Sequence, residues 1–158
     1  MNISLICVGK LKEDYLKSAV LEYIKRINRF SKLEIIEISD QKIPDNLSNK
    51  EKEIILSKEG DLIQSKIKPN SYVISMCIEG NLVSSEELAN KLSDISMNNS
   101  NITFIIGGSL GLCEKIKKLS NLQISFGRIT LPHQLMRVVL LEQIYRAFKI
   151  NNNENYHK

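Results

Sequence analysis

The stretch ITFIIGGSLGL, residues 102–112, joins the most strongly apolar segment of the chain to a loop that contains three glycines. An apolar run of this length, bounded by turn signals, is typical of a strand in the middle of a parallel sheet. The glycines follow directly, so they stand where that strand ends. The stretch therefore predicts a buried strand over residues 102–106 and a glycine-marked loop over residues 107–111 at its carboxyl end.

The rest of the chain alternates between apolar runs and helical patterns. Four further runs predict strands, at residues 2–8, 33–38, 72–78 and 122–126. Apolar periodicity and polar start signals predict helices over residues 13–31, 48–67, 84–97 and 112–119, with a last helix beginning near Pro132. Strands that alternate with helices predict an α/β fold, with a mostly parallel sheet of five strands and helices on both faces.

Two capping boxes and one proline mark where three of the helices begin. Ser48 with Glu51, and Ser84 with Glu87, have the S-x-x-E spacing of a capping box, in which each side chain satisfies the other residue's backbone N–H. Pro132 suits a first helical turn, because its missing N–H has no partner there. Beyond the last helix, only the tail NNNENYHK looks non-globular.

Length and composition favour a single small domain. With 158 residues, 42% of them hydrophobic, we expect one domain over residues 1–158. There is no apolar run of about 18 residues and no signal-peptide pattern, which predicts a cytoplasmic protein with no membrane partner. Cys7, Cys77 and Cys113 form no CxxC pair, and the two histidines have no matching cysteine spacing. We therefore expect reduced thiols and no metal site.

Basic residues exceed acidic ones by only 22 to 18, but much of the excess lies in the first 32 residues. Lys10, Lys12, Arg26 and Arg29 belong to this cluster. A solvated helix face and contact with a phosphate backbone both explain such a pattern.

Three predicted strands end in glycine-marked loops. These are a turn at Glu79–Gly80–Asn81, GGSLG at 107–111 and FGRIT at 126–130. Ligands of open α/β sheets bind outside the carboxyl ends of the strands, and glycine lets the backbone approach a flat heterocycle such as adenine. Glycines that only punctuate turns are the alternative. A dinucleotide fingerprint is incomplete, since no acidic residue ends the following strand, and the G-K-[ST] of a phosphate-binding loop is absent.

The last predicted helix is apolar on more than one side. Leu135, Val138, Val139, Leu141, Ile144 and Phe148 are spread around it. One side would pack on the sheet and the other on a second copy of the chain. A central helix enclosed by its own domain is the alternative. Arg137 and Glu142 are predicted to form a buried or interface pair.

At these residues the chain closely resembles the bacterial large-subunit ribosomal RNA pseudouridine N3-methyltransferases of the SPOUT superfamily. The motifs are VGKLKE at residues 8–13, FIIGGSLGL at 104–112, LPHQLMRVVLLEQIYRAFKI at 131–150 and the terminal YHK. The resemblance runs nearly end to end. It implies an α/β knot fold with a C-terminal trefoil knot, a homodimer, S-adenosylmethionine as methyl donor and 23S rRNA in the ribosome as substrate.

The resemblance also implies a set of cofactor-binding residues. Carried over by motif, these are Met76, Gly107, Gly108, Phe126, Gly127, Arg128, Ile129, Thr130 and Leu131. Two positions depart from the family pattern. Relatives usually read F-S-K-M-T where this chain has FGRIT, and usually have Leu at the position of Met76. A loop that binds through backbone groups tolerates such replacements, whereas a required serine hydroxyl would be missing at Gly127.

Methyl transfer from a sulfonium needs alignment of donor and acceptor more than it needs acids and bases. The N3 proton of pseudouridine must still leave, so a base or a cation that stabilises the anionic ring is expected. Tyr156 and His157 are the candidates, on a tail that closes over the pocket, with Arg146 as electrostatic support. RNA contact is assigned to Lys10, Lys12, Arg26 and Arg29. The main alternative is a non-catalytic, dimeric ribosome-binding protein that retains the fold, and a nicotinamide-dependent reductase is a distant third.

Overall fold

The computed structural model describes residues 1–158 and contains one five-stranded sheet in the order β2-β1-β4-β3-β5. Its strands are β1 (Asn2–Val8), β2 (Lys32–Ile38), β3 (Tyr72–Leu82), β4 (Asn101–Ile106) and β5 (Leu122–Ser125). Its helices are α1 (Asp14–Ile27), α2 (Asn49–Lys66), α3 (Ser85–Asn98), α4 (Glu114–Leu119) and α5 (His133–Asn151). Every strand pairing is parallel, which confirms the predicted α/β class.

β4 is the central strand, and its position explains why its sequence is apolar throughout. It lies between β1 and β3, and each residue from Ile102 to Ile106 is buried. Helices cover both faces of the sheet, as predicted. Ile3, Leu5 and Cys7 of β1 pack in one core cluster with α1, α3 and α5, whereas Ile6 and Val8 pack in a second cluster with α2 and α4. This alternation follows the two-residue period of a strand.

The predicted helix starts are confirmed where a cap specifies them. Both capping boxes form, with Ser48 capping α2 and Ser84 capping α3. α1 ends at Ile27 rather than residue 31, because Asn28 turns the chain and its side-chain oxygen accepts a hydrogen bond from Leu33 N–H at 3.0 Å. Pro132 caps α5 one residue before the helix begins. None of the helices combines the length and apolar character needed to cross a membrane.

The turn predicted at Glu79–Gly80–Asn81 is wrong, because β3 continues to Leu82. Met76 and Asn81 both pair with Ile124 of β5, so the intervening residues form a wide bulge. Gly80 is needed where the two strands meet, since a Cβ there would lie 2.8 Å from the Ile124 carbonyl carbon. Glycine within a strand commonly marks a bulge or a close backbone approach, and here it marks both.

The tail also differs from its prediction, because residues after α5 fold back on the helix. Glu154 N–H donates to the Lys149 carbonyl at 2.9 Å. The Tyr156 ring packs edge-on against Tyr145, with 5.0 Å between ring centroids. The tail is therefore packed against the domain.

Candidate active site

A cleft of about 970 Å³ opens at the carboxyl ends of β3, β4 and β5. Two of the predicted loops converge there, namely the double-glycine loop and the loop before α5, and residues 76–79 of β3 join them. Eight of the nine predicted cofactor-binding residues line it: Met76, Gly107, Gly108, Phe126, Gly127, Ile129, Thr130 and Leu131. Further apolar walls that the prediction missed come from Ile78, Ile106, Leu112 and Met136.

The double-glycine loop is closed on itself. Gly111 N–H donates to the Gly108 carbonyl at 3.0 Å, and a Cβ on Gly107 would lie 2.5 Å from the Gly111 oxygen. A Cβ on Gly108 would press against Val8 Cγ1 at 3.0 Å. These positions need glycine because the tight turn leaves no room for a Cβ atom, and the turn forms one wall of the cleft.

The loop over residues 126–130 is held by two local contacts. Ser125 Oγ accepts from Gly127 N–H at 3.2 Å and donates to the Gly127 carbonyl at 2.7 Å. Gly127 has φ +141°, a conformation that glycine adopts readily and other residues rarely do. Arg128 donates to the carbonyls of Ile78 and Gly80. Its side chain therefore ties this loop to the β3 bulge and does not line the cleft, although the sequence had placed it there.

The first turn of α5 connects the cleft to the ends of β1 and β2. His133 lines the cleft, and burial together with the nearby Arg137 lowers the pKa of its imidazole. Arg137 is fully buried and donates to Glu37 Oε2 at 2.6 Å and to the Gly9 carbonyl at 2.5 Å. The predicted pairing of Arg137 with Glu142 is wrong. Periodicity along α5 cannot reveal the true partner, Glu37, because it lies in strand β2.

The three predicted catalytic residues form one group, centred on Glu142. Arg146 donates to Glu142 Oε1 through Nε at 3.1 Å and Nη2 at 2.7 Å, and the Tyr156 hydroxyl donates to the same oxygen at 3.1 Å. Arg146 Nη1 lies 3.3 Å from His157 Nδ1. We call Glu142, Arg146, Tyr156 and His157 the tail group. None of them lines the cleft of its own chain.

Helix α5 contributes residues to both the cleft and the tail group, so its length sets the distance between them. Met136 lines the cleft, and Arg146 follows it ten residues later on α5. At 1.5 Å per residue, that separation is about 15 Å along the helix axis. The tail therefore closes over the far end of α5, and the predicted lid does not cover its own chain's cleft.

The four predicted RNA-binding residues are divided between the two ends of α1. Lys10 and Lys12 precede the helix, and Lys12 N–H donates to Gln134 Oε1 at 3.0 Å, beside the start of α5. Arg26 belongs to the last turn, and Arg29 follows it. Arg26 bonds to Glu22 and lies over the Tyr145 ring, 5.7 Å from its centroid. Since Tyr145 also packs against Tyr156, Arg26 adjoins the tail group.

No group of three or more His, Cys, Asp or Glu side chains is arranged to hold a metal ion. Burial raises the pKa of Cys7 to about 12, so this thiol stays protonated inside the core. The chemistry offered by the site is therefore that of a large glycine-walled cleft and a separate group of hydrogen-bond donors.

Two solved structures share this fold, one titled a methyltransferase and the other a probable methylase family protein. A tRNA (m1G37) methyltransferase from Aquifex aeolicus aligns with a TM-score of 0.55 and 16% identity over 92% of this chain and 70% of that chain. A probable methylase family protein from Haemophilus influenzae Rd KW20 gives 0.55 and 14% over 99% and 70%. At such low identity these matches establish a shared fold. The fold and its cleft thus define the α/β class to which these methyltransferases belong.

The family follows from sequence. The family model described as "Predicted SPOUT methyltransferase" matches residues 1–157, and the chain therefore belongs to the SPOUT methyltransferase family. It is 56% identical, over the full length of both chains, to Ribosomal RNA large subunit methyltransferase H of Clostridioides difficile (strain 630). It is 57% identical, again over both full lengths, to the protein of that name from Streptococcus suis (strain 05ZYH33).

Proposed function

We propose that this protein transfers the methyl group of S-adenosylmethionine to N3 of a pseudouridine in the 23S rRNA of the ribosomal large subunit. The observation that carries the proposal is the cleft, because the double-glycine loop, the loop before α5 and the β3 bulge all line it. Full-length identity to relatives named as large-subunit rRNA methyltransferases supports the choice of RNA. The protein would act as a single SPOUT-type domain over residues 1–158, in the cytoplasm.

The residues of the cleft fit an adenosyl cofactor. Met76, Ile106, Phe126 and Leu131 offer apolar surface to a flat ring, while the backbone of the two glycine-containing loops offers hydrogen-bonding groups. Lys117 and Glu79 are the charged residues of the lining, and they pair with each other at 2.5 Å. When bound, S-adenosylmethionine supplies an electrophilic methyl group. The protein holds its adenosyl part through Met76, Gly107, Gly108 and residues 126–131, while Arg128 braces the last loop.

The tail group is suited to stabilise negative charge on the substrate ring. Burial and the hydrogen bond to Glu142 raise the pKa of Tyr156 to about 12, so its hydroxyl remains a donor. Glu142 already accepts bonds from Arg146, Tyr156 and Gln143. We therefore assign Arg146 and Tyr156 to the stabilisation of a ring that has lost its N3 proton, and solvent takes that proton.

A homodimer would bring each tail group to the cleft of the other subunit. The buried stripe of α5 includes Leu140, Leu141 and Ile144. Leu135, Val138 and Val139 lie on the opposite side of the helix, at spacings of three and four residues, and stay partly exposed. Glu142 and Arg146 continue the same face. We propose that this outer face of α5 is the dimer interface, and that a trefoil knot holds its C-terminal part in place.

RNA would contact the basic residues at both ends of α1. Lys10, Lys12 and Arg29 form no ion pair, whereas Arg26 is paired with Glu22. Arg26 adjoins the tail group through Tyr145, on the side where the reacting nucleotide would be held, and Arg29 follows it in the chain. Charge reversal at Arg26 and Arg29 should weaken RNA binding and reduce its salt dependence, while leaving cofactor affinity unchanged.

Mixing two defective variants tests both the activity and the shared site. Purified large subunits are incubated with labelled S-adenosylmethionine and the protein. A variant that combines Tyr156→Phe with Arg146→Met and a Gly107→Val variant should each be inactive. Co-expressed, they should regain methyl transfer, since a mixed dimer contains one intact cleft facing one intact tail group. Failure of the wild-type protein to label the RNA would contradict the proposed activity. It would favour the alternative of a non-catalytic ribosome-binding protein, which does not need an open cofactor cleft.

A further inference from the structure

The first turn of α3 contacts the tail group directly through His157 and indirectly through Gln143. Glu86 Oε1 lies 2.6 Å from His157 Nε2. The Oγ of the neighbouring Ser85 donates to Gln143 Oε1 at 2.7 Å, and Gln143 Nε2 donates to Glu142 Oε2 at 2.7 Å. The hydrogen bonds therefore form a ring that starts at α3, passes through the tail and α5, and returns to α3.

The direction of each hydrogen bond on His157 is fixed by its partners. Arg146 has only donors, so the Nδ1 atom that faces it must accept. Glu86 is a carboxylate and can only accept while it is ionised, so the Nε2 atom that faces it must carry the proton. The negative charge suits this position, because Glu86 lies in the first turn of α3, where the helix dipole favours an anion. The pKa of Glu86 is lowered by its own backbone N–H and then by His157.

We propose that Glu86 is a positioning residue, which holds His157 in the tautomer protonated at Nε2 and so keeps the Nδ1 lone pair aimed at Arg146. This arrangement resembles the logic of catalytic triads, in which a third group orients an imidazole that acts on the next residue. His157 in turn fixes the guanidinium that, under the proposed function, faces the substrate ring. The expected effect of Glu86 on the reaction rate depends on the proposed function. The expected tautomer of His157 does not depend on it.

Nitrogen-15 NMR of the imidazole rings tests the tautomer without any assay of activity. The chain has two histidines, so a His157→Gln variant assigns the signals. In its neutral form, the His157 ring should show a protonated Nε2 and an unprotonated Nδ1. Glu86→Ala should lose this preference, and Glu86→Gln should retain it, because the glutamine carbonyl also accepts. A wild-type ring protonated at Nδ1, or one unaffected by Glu86→Ala, would overturn the inference.

Kinetics test whether Glu86 acts through His157. Glu86→Ala should lower kcat by about tenfold, the order of loss seen when a supporting hydrogen-bond partner is removed, and should leave the Kd for S-adenosylmethionine unchanged. In a His157→Ala background the same substitution should cost nothing further. Equal losses in both backgrounds would show a merely structural role for Glu86. Asp94→Ala, at an exposed acid on the same helix, is the matched control and should behave as wild type. If wild-type protein methylates nothing, the proposed function fails, while the NMR result still decides the role of Glu86.

Discussion

Arg137 and Glu37 lie 100 positions apart in the sequence, yet Arg137 Nη1 donates to Glu37 Oε2 at 2.6 Å. The same guanidinium reaches the Gly9 carbonyl, and Glu37 Oε2 also accepts from Leu11 N–H at 3.0 Å. One buried arginine thus joins the carboxyl ends of β1 and β2 to the first turns of α5. Since His133 and Met136 belong to those turns and line the cleft, this ion pair helps to set the cleft's shape.

Replacing Arg137 with Met should destabilise the fold by about 1–2 kcal/mol, because the Gly9 carbonyl loses a buried donor and Glu37, whose side chain is 35% exposed, loses its ion-pair partner. Urea unfolding measures the effect. Arg29→Met removes an exposed arginine and should change the free energy of unfolding by less than about 0.5 kcal/mol. Adding Glu37→Leu to Arg137→Met should restore part of the loss. An Arg137→Met variant as stable as the wild type would show that the bonds from Arg137 to Glu37 and the Gly9 carbonyl do not stabilise the fold.

Gly80→Ala should separate β3 from β5, because the added methyl group would lie 2.8 Å from the Ile124 carbonyl carbon. We expect a lower melting temperature and weaker binding of S-adenosylmethionine in calorimetry. Gly127→Ala is the comparison, since nothing lies within 4 Å of its Cβ position and only the backbone conformation is disfavoured. The Gly127 substitution should therefore cost less stability, about 1 kcal/mol. The reverse order of the two effects would contradict the observed bulge.

The pH dependence of stability should reveal the Tyr156 hydroxyl. Its pKa is raised from 10.0 to about 12 in the folded protein, so the fold favours the protonated phenol. The resulting stabilisation is fully present below pH 10 and is lost as the pH rises from 10 to 12. The free energy of unfolding of the wild type, relative to Tyr156→Phe, should fall over that interval. A constant difference between the two proteins would mean that burial and the bond to Glu142 do not raise the pKa of Tyr156 in the folded protein.

The outer face of α5 should control the oligomeric state. Val139→Asp places a charge among partly exposed apolar side chains, and a dimer packed through that face should dissociate, which analytical ultracentrifugation detects. Leu21→Asp is the control, because Leu21 is 65% exposed on α1 and lies on another surface. We expect monomers for the first variant and dimers for the second. Dimers that survive Val139→Asp would assign the interface to a different surface.

Local sequence signals were enough to predict the strands, the capped helix starts and two of the loops that line the cleft, at residues 107–111 and 126–130. Ser48 and Ser84 specify their helices through neighbours three residues away, so no tertiary information was needed. The β3 bulge, the Arg137–Glu37 pair and the brace from Arg128 were not predicted. Each depends on two distant segments meeting, which neither periodicity nor spacing encodes. Arg146, Tyr156 and His157 were predicted to act together, but Glu142, which accepts bonds from Arg146 and Tyr156, had been assigned to Arg137. The separation of this group from the cleft depends on the length of α5 between them, which the residues of the tail do not encode.

Mass spectrometry of ribosomal RNA shows whether large-subunit rRNA is the methyl acceptor of this protein in cells. Ribosomal RNA is isolated from cells that lack this protein, from the same cells supplied with the wild-type chain, and from cells supplied with the variant that combines Tyr156→Phe and Arg146→Met. We expect one pseudouridine in 23S rRNA that is unmethylated in the first sample, methylated at N3 in the second and unmethylated in the third. Identical 23S rRNA in all three samples would contradict this expectation.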